Sequence, residues 1–154
     1  MSNDLDEFDK KILRVLQKEA DISMQDLGDR IGLSHTPCWR RVKRLQEQGI
    51  IRGKVTLLDE NQVSLPVTVY TYLTIKSHDE DVLNEFESSV LEVPEVMECY
   101  STTGEKDYVL RVVAASVSHY EQILKRKLVH LPHVDSVSST FALKQVKYTT
   151  ELPV

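Results

Sequence analysis

Basic side chains are concentrated in one short stretch of the sequence. Between Trp39 and Lys54 there are six basic residues and a single acid, Glu47, although the whole chain has a net charge of −5. Lysine and arginine neutralise DNA phosphates, and arginine can also donate two parallel hydrogen bonds to guanine. The stretch therefore predicts an interface with double-stranded DNA. The predicted contacts are Ser34, His35, Thr36, Trp39, Arg40, Arg41, Lys43, Arg44, Arg52 and Lys54.

Two helices joined by a tight turn are predicted to carry most of this cluster. Ser23 is a suitable N-cap for the first helix, and Gly32 ends it. Ser34 or Thr36 can cap the second helix, and Pro37 falls in its first turn, where the missing N–H costs nothing. This pattern is typical of a helix-turn-helix whose second helix enters the major groove.

The second helix is predicted to be apolar on one side and basic on the other. Cys38, Val42 and Leu45 fall on one narrow stripe at 100° per residue. A basic helix face alone is often only a solvated surface. The preceding helix, the turn and the stripe together favour DNA binding. The opposite side carries Thr36, Arg40, Lys43, Arg44 and Glu47, with Trp39 and Arg41 on its flanks.

The segments on either side complete a winged helix-turn-helix. An amphipathic helix is predicted over residues 4–20, capped by Asp4 or Asp6, to support the two helices that follow. After the recognition helix, a short alternating segment predicts a strand that brings Arg52 and Lys54 to the DNA backbone as a small wing.

The second half of the chain follows a different pattern. A boundary near Leu65 divides the chain into residues 1–64 and 65–154, and the second part has the order β-α-β-β-α-β. This order predicts an α+β, ferredoxin-like domain with an antiparallel sheet and both helices on one face. The predicted strands are 67–76, 96–103, 108–114 and 137–146, and the predicted helices are 79–93 and 118–131, the latter capped by Ser118.

The sheet face without helices predicts self-association. Tyr70 and Tyr72 alternate with the inward residues of the first strand and so lie on that open face. An exposed apolar sheet face is usually covered by a partner, most simply a second copy related by a two-fold axis. A homodimer also suits DNA half-sites about one helical turn apart.

Other classes of protein find little support in the sequence. No hydrophobic run is long enough to span a bilayer, and the polar beginning MSNDLDEFDKK does not resemble a signal peptide, so a cytoplasmic protein without a membrane partner is expected. Cys38 and Cys99 form no CxxC pair, and Cys38 lies on the apolar stripe, so reduced thiols are expected and a zinc site is not.

Catalysis is equally unsupported. The five histidines are scattered, and there is no HExxH motif, nucleophile elbow, P-loop or paired metal-ligand spacing. We therefore expect no enzyme, no metal site and no cofactor. His35 is the exception of interest, because at the start of the recognition helix it can donate to a phosphate or a base edge.

The run LSHTPCWRRVKRLQEQGII resembles the recognition-helix signature of the Lrp/AsnC (leucine-responsive regulatory protein / asparagine regulator) family of transcription regulators. Two later segments are similar to the same family. TGEKDYVL at 103–110 resembles its TGxxDYLL turn, and the end of the chain resembles a branch with the motif KxxKxTTxLP. The resemblance covers essentially the whole chain. It implies a regulatory domain that binds a free amino acid between dimers and assembles into a homo-oligomer, commonly an octamer.

The resemblance also implies effector-binding residues, which are Gly104, Asp107, Tyr108 and Ser139. Backbone N–H groups at a glycine turn can bind an α-carboxylate, and a carboxylate such as Asp107 can accept from an α-ammonium. The same GxxD spacing is also ordinary turn chemistry. Two positions depart from the family. Lys106 replaces an aromatic or acidic residue at the rim, and His133 replaces a glycine where a positive φ is expected.

The effector suggested by the resemblance is a branched-chain amino acid, methionine or cysteine. Two other functions remain open at this stage. One is a DNA-organising protein with no effector, and the other is an interaction module that has lost DNA binding. The intact basic face of the second helix argues against the last.

Overall fold

The computed structural model describes residues 5–154, which divide into two compact units. The first consists of the residues up to Leu57 together with Lys147–Val154, and the second is Leu58–Val146. The predicted boundary near Leu65 therefore falls inside the second unit. The last eight residues, which were expected to belong to the second domain, group with the first.

Three helices form the first unit. They are α1 (Glu7–Leu16), α2 (Met24–Ile31) and α3 (His35–Glu47). The predicted stripe of α3 is buried against α1 and α2, and burial of such apolar surface is the main force that holds three short helices together. The core consists of Ile12, Leu13, Leu27, Ile31, Cys38, Val42 and Leu45.

The caps of these helices are partly as predicted. Ser23 accepts a hydrogen bond from the backbone N–H of Asp26 at 3.1 Å, and Gly32 ends α2 with φ of 77°. Ser34 is the N-cap of α3, although its side chain makes no capping hydrogen bond. Asp6 caps α1 in a reciprocal capping box, in which the Asp9 side chain accepts from the Asp6 N–H. The alternative cap, Asp4, lies outside the described residues.

Two predictions for the first unit were wrong. Helix α1 ends at Leu16, so it is shorter than the predicted 4–20. Residues 51–58 form no strand, and the described chain has none between α3 and the second unit. The expected wing strand is therefore absent, and Arg52 and Lys54 lie exposed in an irregular segment.

A glycine allows the turn between α2 and α3 to close tightly. A Cβ at position 28 would lie 2.5 Å from the carbonyl oxygen of Leu33, which is too close for any larger residue without movement. The Leu33 N–H donates to the Gly28 carbonyl at 2.9 Å, so the turn folds directly onto this glycine. Sequence inspection did not single out this position.

The second unit has the predicted order and topology. Its strands are β1 (Val67–Ile75), β2 (Val96–Ser101), β3 (Tyr108–Ala114) and β4 (Val134–Phe141), and its helices are α4 (Glu80–Leu91) and α5 (Val117–Arg126). The antiparallel sheet has the order β2-β3-β1-β4, with β1 paired to both β3 and β4. This arrangement confirms the ferredoxin-like fold.

Alternation along the strands separates the two faces of this sheet. Leu73 and Leu110 on the helix side are completely buried, and they pack with Phe86 of α4 and Tyr120 of α5. The other face holds Tyr70, Tyr72 and Tyr100, and of these Tyr70 and Tyr100 are exposed.

Several element ends differ from the prediction. Helix α5 is capped by Ser116, which accepts from the His119 N–H at 3.0 Å, so Ser118 is not the cap. The helix stops at Arg126, and a single 3₁₀ turn follows at 128–130. Strand β2 ends at Ser101, and β4 covers 134–141 instead of 137–146. Before β4, His133 has φ of 61°, which confirms the positive φ expected there.

Among the described residues, no helix is both long and apolar enough to cross a membrane.

Candidate DNA interface and effector turn

The exposed side of α3 carries a row of polar and basic side chains opposite its buried stripe. Thr36, Arg40, Lys43 and Glu47 follow one another at helical spacing, and all four are exposed. Arg40 makes no hydrogen bond or ion pair within the described part of the chain. Lys43 lies 3.7 Å from Glu47, an exposed contact that holds it only weakly. Arg40 and Lys43 are therefore available to bind phosphates or bases.

Arg41 and Arg44 face α1 instead. The Arg41 Nη1 donates to Asp6 Oδ2 at 2.6 Å and to Asp9 Oδ1 at 2.9 Å, and Arg44 donates to the other oxygen of Asp9. The Asp9 side chain is only 1% exposed, whereas that of Arg41 is 26% exposed and that of Arg44 is 47% exposed. These two arginines were predicted as DNA contacts only, but they also join the recognition helix to α1.

The charges in this cluster stabilise one another. Hydrogen bonding to Asp6 raises the pKa of Arg41. The pKa of Asp6 is lowered, first by the Asp9 backbone N–H and then by Arg41. The buried Asp9 carboxylate is fully satisfied, because it accepts from both arginines and from the Asp6 N–H. A buried carboxylate with such partners is costly to disturb.

Sequence reasoning missed Asp9, although two signals pointed to it. It lies one helical turn before Ile12 and Leu13, so it occupies a position on the buried face of α1. It also stands three residues after Asp6, which is the capping-box spacing. An acid on an apolar stripe needs a partner, and the nearby helix with a surplus of arginine supplies two.

Trp39 lies on the flank of α3, beside the exposed row. Its ring is 46% exposed, and the Lys43 Nζ lies 5.2 Å from the ring centroid, within the range of a cation–π contact. An open groove of about 380 Å³ runs past this ring and is lined by Met24, Trp39, Val42, Lys43 and Gln46.

The remaining predicted DNA contacts are all exposed. Ser34 and His35 lie at the start of α3, next to Thr36. Lys54 lies 3.8 Å from Asp21, and both side chains are largely in solvent, so this pair leaves the lysine free to move.

The predicted effector turn joins β2 to β3 and has a defined structure. Gly104 has φ of 127°, and Thr102 Oγ1 donates to the Lys106 carbonyl at 2.6 Å across the turn. Asp107 Oδ2 accepts from the Ile75 N–H at 2.7 Å, and its Oδ1 lies 2.8 Å from His78 Nε2. The hydrogen bond with His78, followed by that from Ile75, lowers the pKa of Asp107.

The other two predicted effector residues point to the helix side of the sheet. Tyr108 is 3% exposed, and its hydroxyl donates to Glu87 at 2.6 Å, while burial first and Glu87 second raise its pKa. The Ser139 hydroxyl lies 2.6 Å from that of Tyr120, which is also 2.7 Å from the hydroxyl of Thr71. Tyr108 and Ser139 thus already have partners inside the domain.

Cys99 also faces the helix side, where it is half-buried. Burial, followed by the charge of Glu87, raises the pKa of its thiol to about 11. Because the thiolate is the reactive form, a thiol with this pKa is a poor nucleophile at neutral pH. Among the described residues, no group of three or more histidine, cysteine, aspartate or glutamate side chains is placed to hold a metal ion.

A helix-turn-helix with a basic exposed helix, followed by a ferredoxin-like domain, defines a DNA-binding regulator with a separate regulatory domain. The comparisons with known proteins agree. Residues 5–52 match the family model described as winged helix-turn-helix DNA-binding, and residues 68–152 match the Lrp/AsnC ligand binding domain. The chain belongs to the Lrp/AsnC family of DNA-binding transcription regulators, which are not enzymes.

Three similar proteins illustrate the match. The DNA-binding transcriptional activator DecR of Escherichia coli K12 is 39% identical over 97% of this chain and 99% of its own length. The crystal structure of an AsnC family transcriptional regulator from Agrobacterium tumefaciens is 44% identical, with a TM-score of 0.91 and 96% of each chain covered. A Neisseria meningitidis transcriptional regulator, solved as a complex with L-Met, is 35% identical, with a TM-score of 0.91 over 97% of this chain and 96% of that one.

The first prediction separates the arginines that face α1 from those that face solvent. Arg41→Ala should lower the free energy of unfolding of the DNA-binding unit by about 1–3 kcal/mol, because the buried Asp9 loses one of its two guanidinium partners. Arg40→Ala is the matched control and should change stability by less than about 0.5 kcal/mol. Urea denaturation followed by circular dichroism measures both, and equal stability of the two variants would refute the structural role of Arg41.

Proposed function

We propose that this regulator binds specific DNA sites as a homodimer or larger homo-oligomer and responds to a free amino acid bound at the β2–β3 turn. The DNA part of the proposal depends on one observation, which is that the basic residues of α3 fall into an exposed pair and a pair that contacts α1. Arg40 and Lys43 face solvent, while Arg41 and Arg44 are held by carboxylates of α1. The helix thus offers free cations on a surface whose orientation is fixed.

We assign the main DNA contacts to the exposed row of α3. Thr36, Arg40 and Lys43 would meet base edges and phosphates in the major groove. Ser34, His35 and Trp39 border this row, and Arg52 and Lys54 would reach the flanking backbone without a wing strand. Arg41 and Arg44 remain proposed contacts, but each would approach a phosphate only with nitrogens that α1 leaves free.

The open sheet face supports the proposed dimer. It combines exposed tyrosines with one charged cluster, in which Arg111 donates to Glu60 and to Glu98 at 3.0 Å each. A second copy related by a two-fold axis would cover the apolar part and bring both recognition helices to one DNA duplex. The cluster already neutralises its own arginine, which lowers the cost of covering it.

The geometry of the β2–β3 turn supports an amino-acid ligand. Within the described chain, the backbone N–H groups from Thr103 to Lys106 donate to no other group, and Gly104 keeps the turn open to an incoming carboxylate. Asp107 lies at the end of the turn and would accept from the α-ammonium, although it must share Oδ1 with His78. Tyr108 and Ser139 would contribute only if their internal hydrogen bonds rearranged.

The effector is proposed to be methionine, cysteine or a branched-chain amino acid. Methionine has the most direct support, because the regulator from Neisseria meningitidis was solved with L-Met. We propose that the ligand binds where two dimers meet, shifts the equilibrium between assemblies such as dimer and octamer, and so changes the spacing of the DNA-binding units. The shift is limited by the difference in ligand affinity between the two assemblies.

DNA binding by the exposed row has a measurable salt signature. The double variant Arg40→Ala, Lys43→Ala should bind the DNA upstream of the protein's own gene more weakly. The negative slope of log K against log salt should become shallower by about two per DNA-binding unit, because two phosphate neutralisations are lost.

The charge-matched control is Lys125→Ala, Arg126→Ala, which changes two exposed residues of α5. Gel-shift titrations at several salt concentrations give both slopes. An unchanged slope for the α3 variant would remove Arg40 and Lys43 from the interface.

Effector binding is tested by isothermal titration calorimetry with methionine, cysteine and leucine. At least one should bind, and Asp107→Asn should weaken it about tenfold or more, because a carboxylate is a stronger partner for an ammonium than an amide. Asp81→Asn, at an exposed position of α4, is the control. If no amino acid bound at millimolar concentration, the effector proposal would fail, and a DNA-organising role would be the better account.

A further inference from the structure

We infer that residues 147–154 act as a strap that docks on α1 and restrains the DNA-binding unit. This segment follows β4 along the chain, yet it packs with the three helices of the first unit. Its sequence, KYTTELPV, contains most of the terminal motif noted above, for which DNA and effector binding supply no role.

Gln17 holds the backbone of the strap at one residue. Its side-chain oxygen accepts from the Leu152 N–H at 2.6 Å, and its side-chain nitrogen donates to the Leu152 carbonyl at 3.2 Å. The amide thus pairs with the main chain much as a neighbouring β-strand would. The Leu152 side chain itself is 67% exposed, so α1 recognises the backbone at this position and not the side chain.

Further contacts fix the strap on both sides of Leu152. Arg14 Nε donates to the Val154 backbone oxygen at 2.6 Å, and Lys18 Nζ lies 3.1 Å from Glu151. The Val154 side chain packs against the apolar core of the three helices. Arg14 lies in the last turn of α1, Gln17 is its C-cap and Lys18 follows directly, so the three polar contacts all come from the end of that helix.

The strap has a local shape suited to this docking. Pro153 fixes its own φ, and the Val154 N–H donates to the Leu152 carbonyl at 2.9 Å around it. The Glu151 N–H donates to Thr149 Oγ1 at 3.0 Å. These two turns reduce the conformational freedom lost on docking, and they give Thr149 and Pro153 of the motif a physical role.

Docking of the strap adds a second connection between the two units. With the strap docked, the chain passes between the two units twice, at 57–58 and at 146–147. When the strap leaves α1, residues 147–154 no longer tie the two units together, and only the connection at 57–58 does so. The docked segment also holds the end of α1 opposite to Asp6 and Asp9, which hold the recognition helix. The strap therefore limits the positions that the recognition helix can take.

The test uses the spacing of DNA half-sites, and it rests on the proposed reading of two half-sites by paired units. The half-site is first identified by footprinting on the DNA upstream of the protein's own gene. Duplexes then carry two copies of it with centres about 10 or 15 base pairs apart, which places them on the same or on opposite sides of the DNA. Freely moving units would distinguish these duplexes less well than restrained ones, because the restraint sets the effective concentration of the second unit at its half-site.

Gln17→Ala is the test variant, because alanine preserves the helix while removing both contacts to Leu152. Gln25→Ala is the control, since Gln25 is an exposed helical glutamine whose side chain hydrogen-bonds only to Asp29 among the described residues. We expect Gln17→Ala to reduce the preference for the 10-base-pair duplex by about three- to tenfold and to leave the affinity for a single half-site unchanged. Hydrogen exchange of residues 150–154 in the full chain should become faster in this variant alone.

Each result decides the inference. Unprotected exchange of residues 150–154 in the unmodified protein would show that the strap does not dock. Faster exchange in Gln17→Ala with an unchanged spacing preference would show that docking does not restrain the DNA-binding unit. If the unmodified protein itself bound both duplexes equally, the proposal that two DNA-binding units bind two half-sites together would be wrong. The proposed role of the strap would then also be wrong.

Discussion

The buried carboxylate of Asp9 is the interaction on which the DNA-binding unit depends. It lies on the apolar face of α1 and binds two arginines of α3, so it fixes the recognition helix against its support. An unpaired charge at this buried position would strongly destabilise the fold, so the two arginines must lie within hydrogen-bonding distance of Asp9. The hydrophobic stripe of α3 determines which face of the helix is buried, and the contacts of Arg41 and Arg44 with one carboxylate restrict the rotation of the helix further.

This constraint also explains how a cluster of basic residues can be divided between structural contacts and the DNA contacts proposed above. Two arginines are held by α1, and the neighbouring Arg40 and Lys43 are exposed on the solvent side. The same logic operates in the regulatory domain. Tyr108 and Ser139 are occupied by internal partners, while the backbone of the β2–β3 turn is left open. In both units, some polar side chains make internal hydrogen bonds that fix the local structure, and the neighbouring groups proposed to bind DNA or effector are left exposed.

Much of this architecture follows from the sequence. The stripe of Cys38, Val42 and Leu45, the cap at Ser23 and the β-α-β-β-α-β order are local patterns, and the structure confirms them. The ends of α1, α5 and β4 were less predictable, because sequence patterns define the type of an element better than the residues at which it begins and ends. The expected wing failed because alternation over a few residues does not supply a strand to pair with.

The roles of the arginines depend on contacts between distant segments. Asp9 and Arg41 are separated by 32 positions in the chain. Helical periodicity placed Arg41 on a flank of α3, but it did not reveal what faced that flank. The docking of Leu152 on Gln17 is still less visible, because it is made by the backbone of an irregular segment. Sequence patterns identify faces, whereas only the fold identifies which faces meet.

The most direct test of the account is the specificity of Asp9→Asn, measured well below its unfolding temperature so that the protein is folded. Releasing Arg41 and Arg44 should weaken binding to the protein's specific DNA site but not to unrelated DNA, since freed arginines still neutralise phosphates. We predict that the ratio of specific to non-specific affinity falls about tenfold, or ~1.4 kcal/mol. An unchanged ratio, with only the stability reduced, would contradict the claim that Asp9 positions the recognition helix for reading DNA.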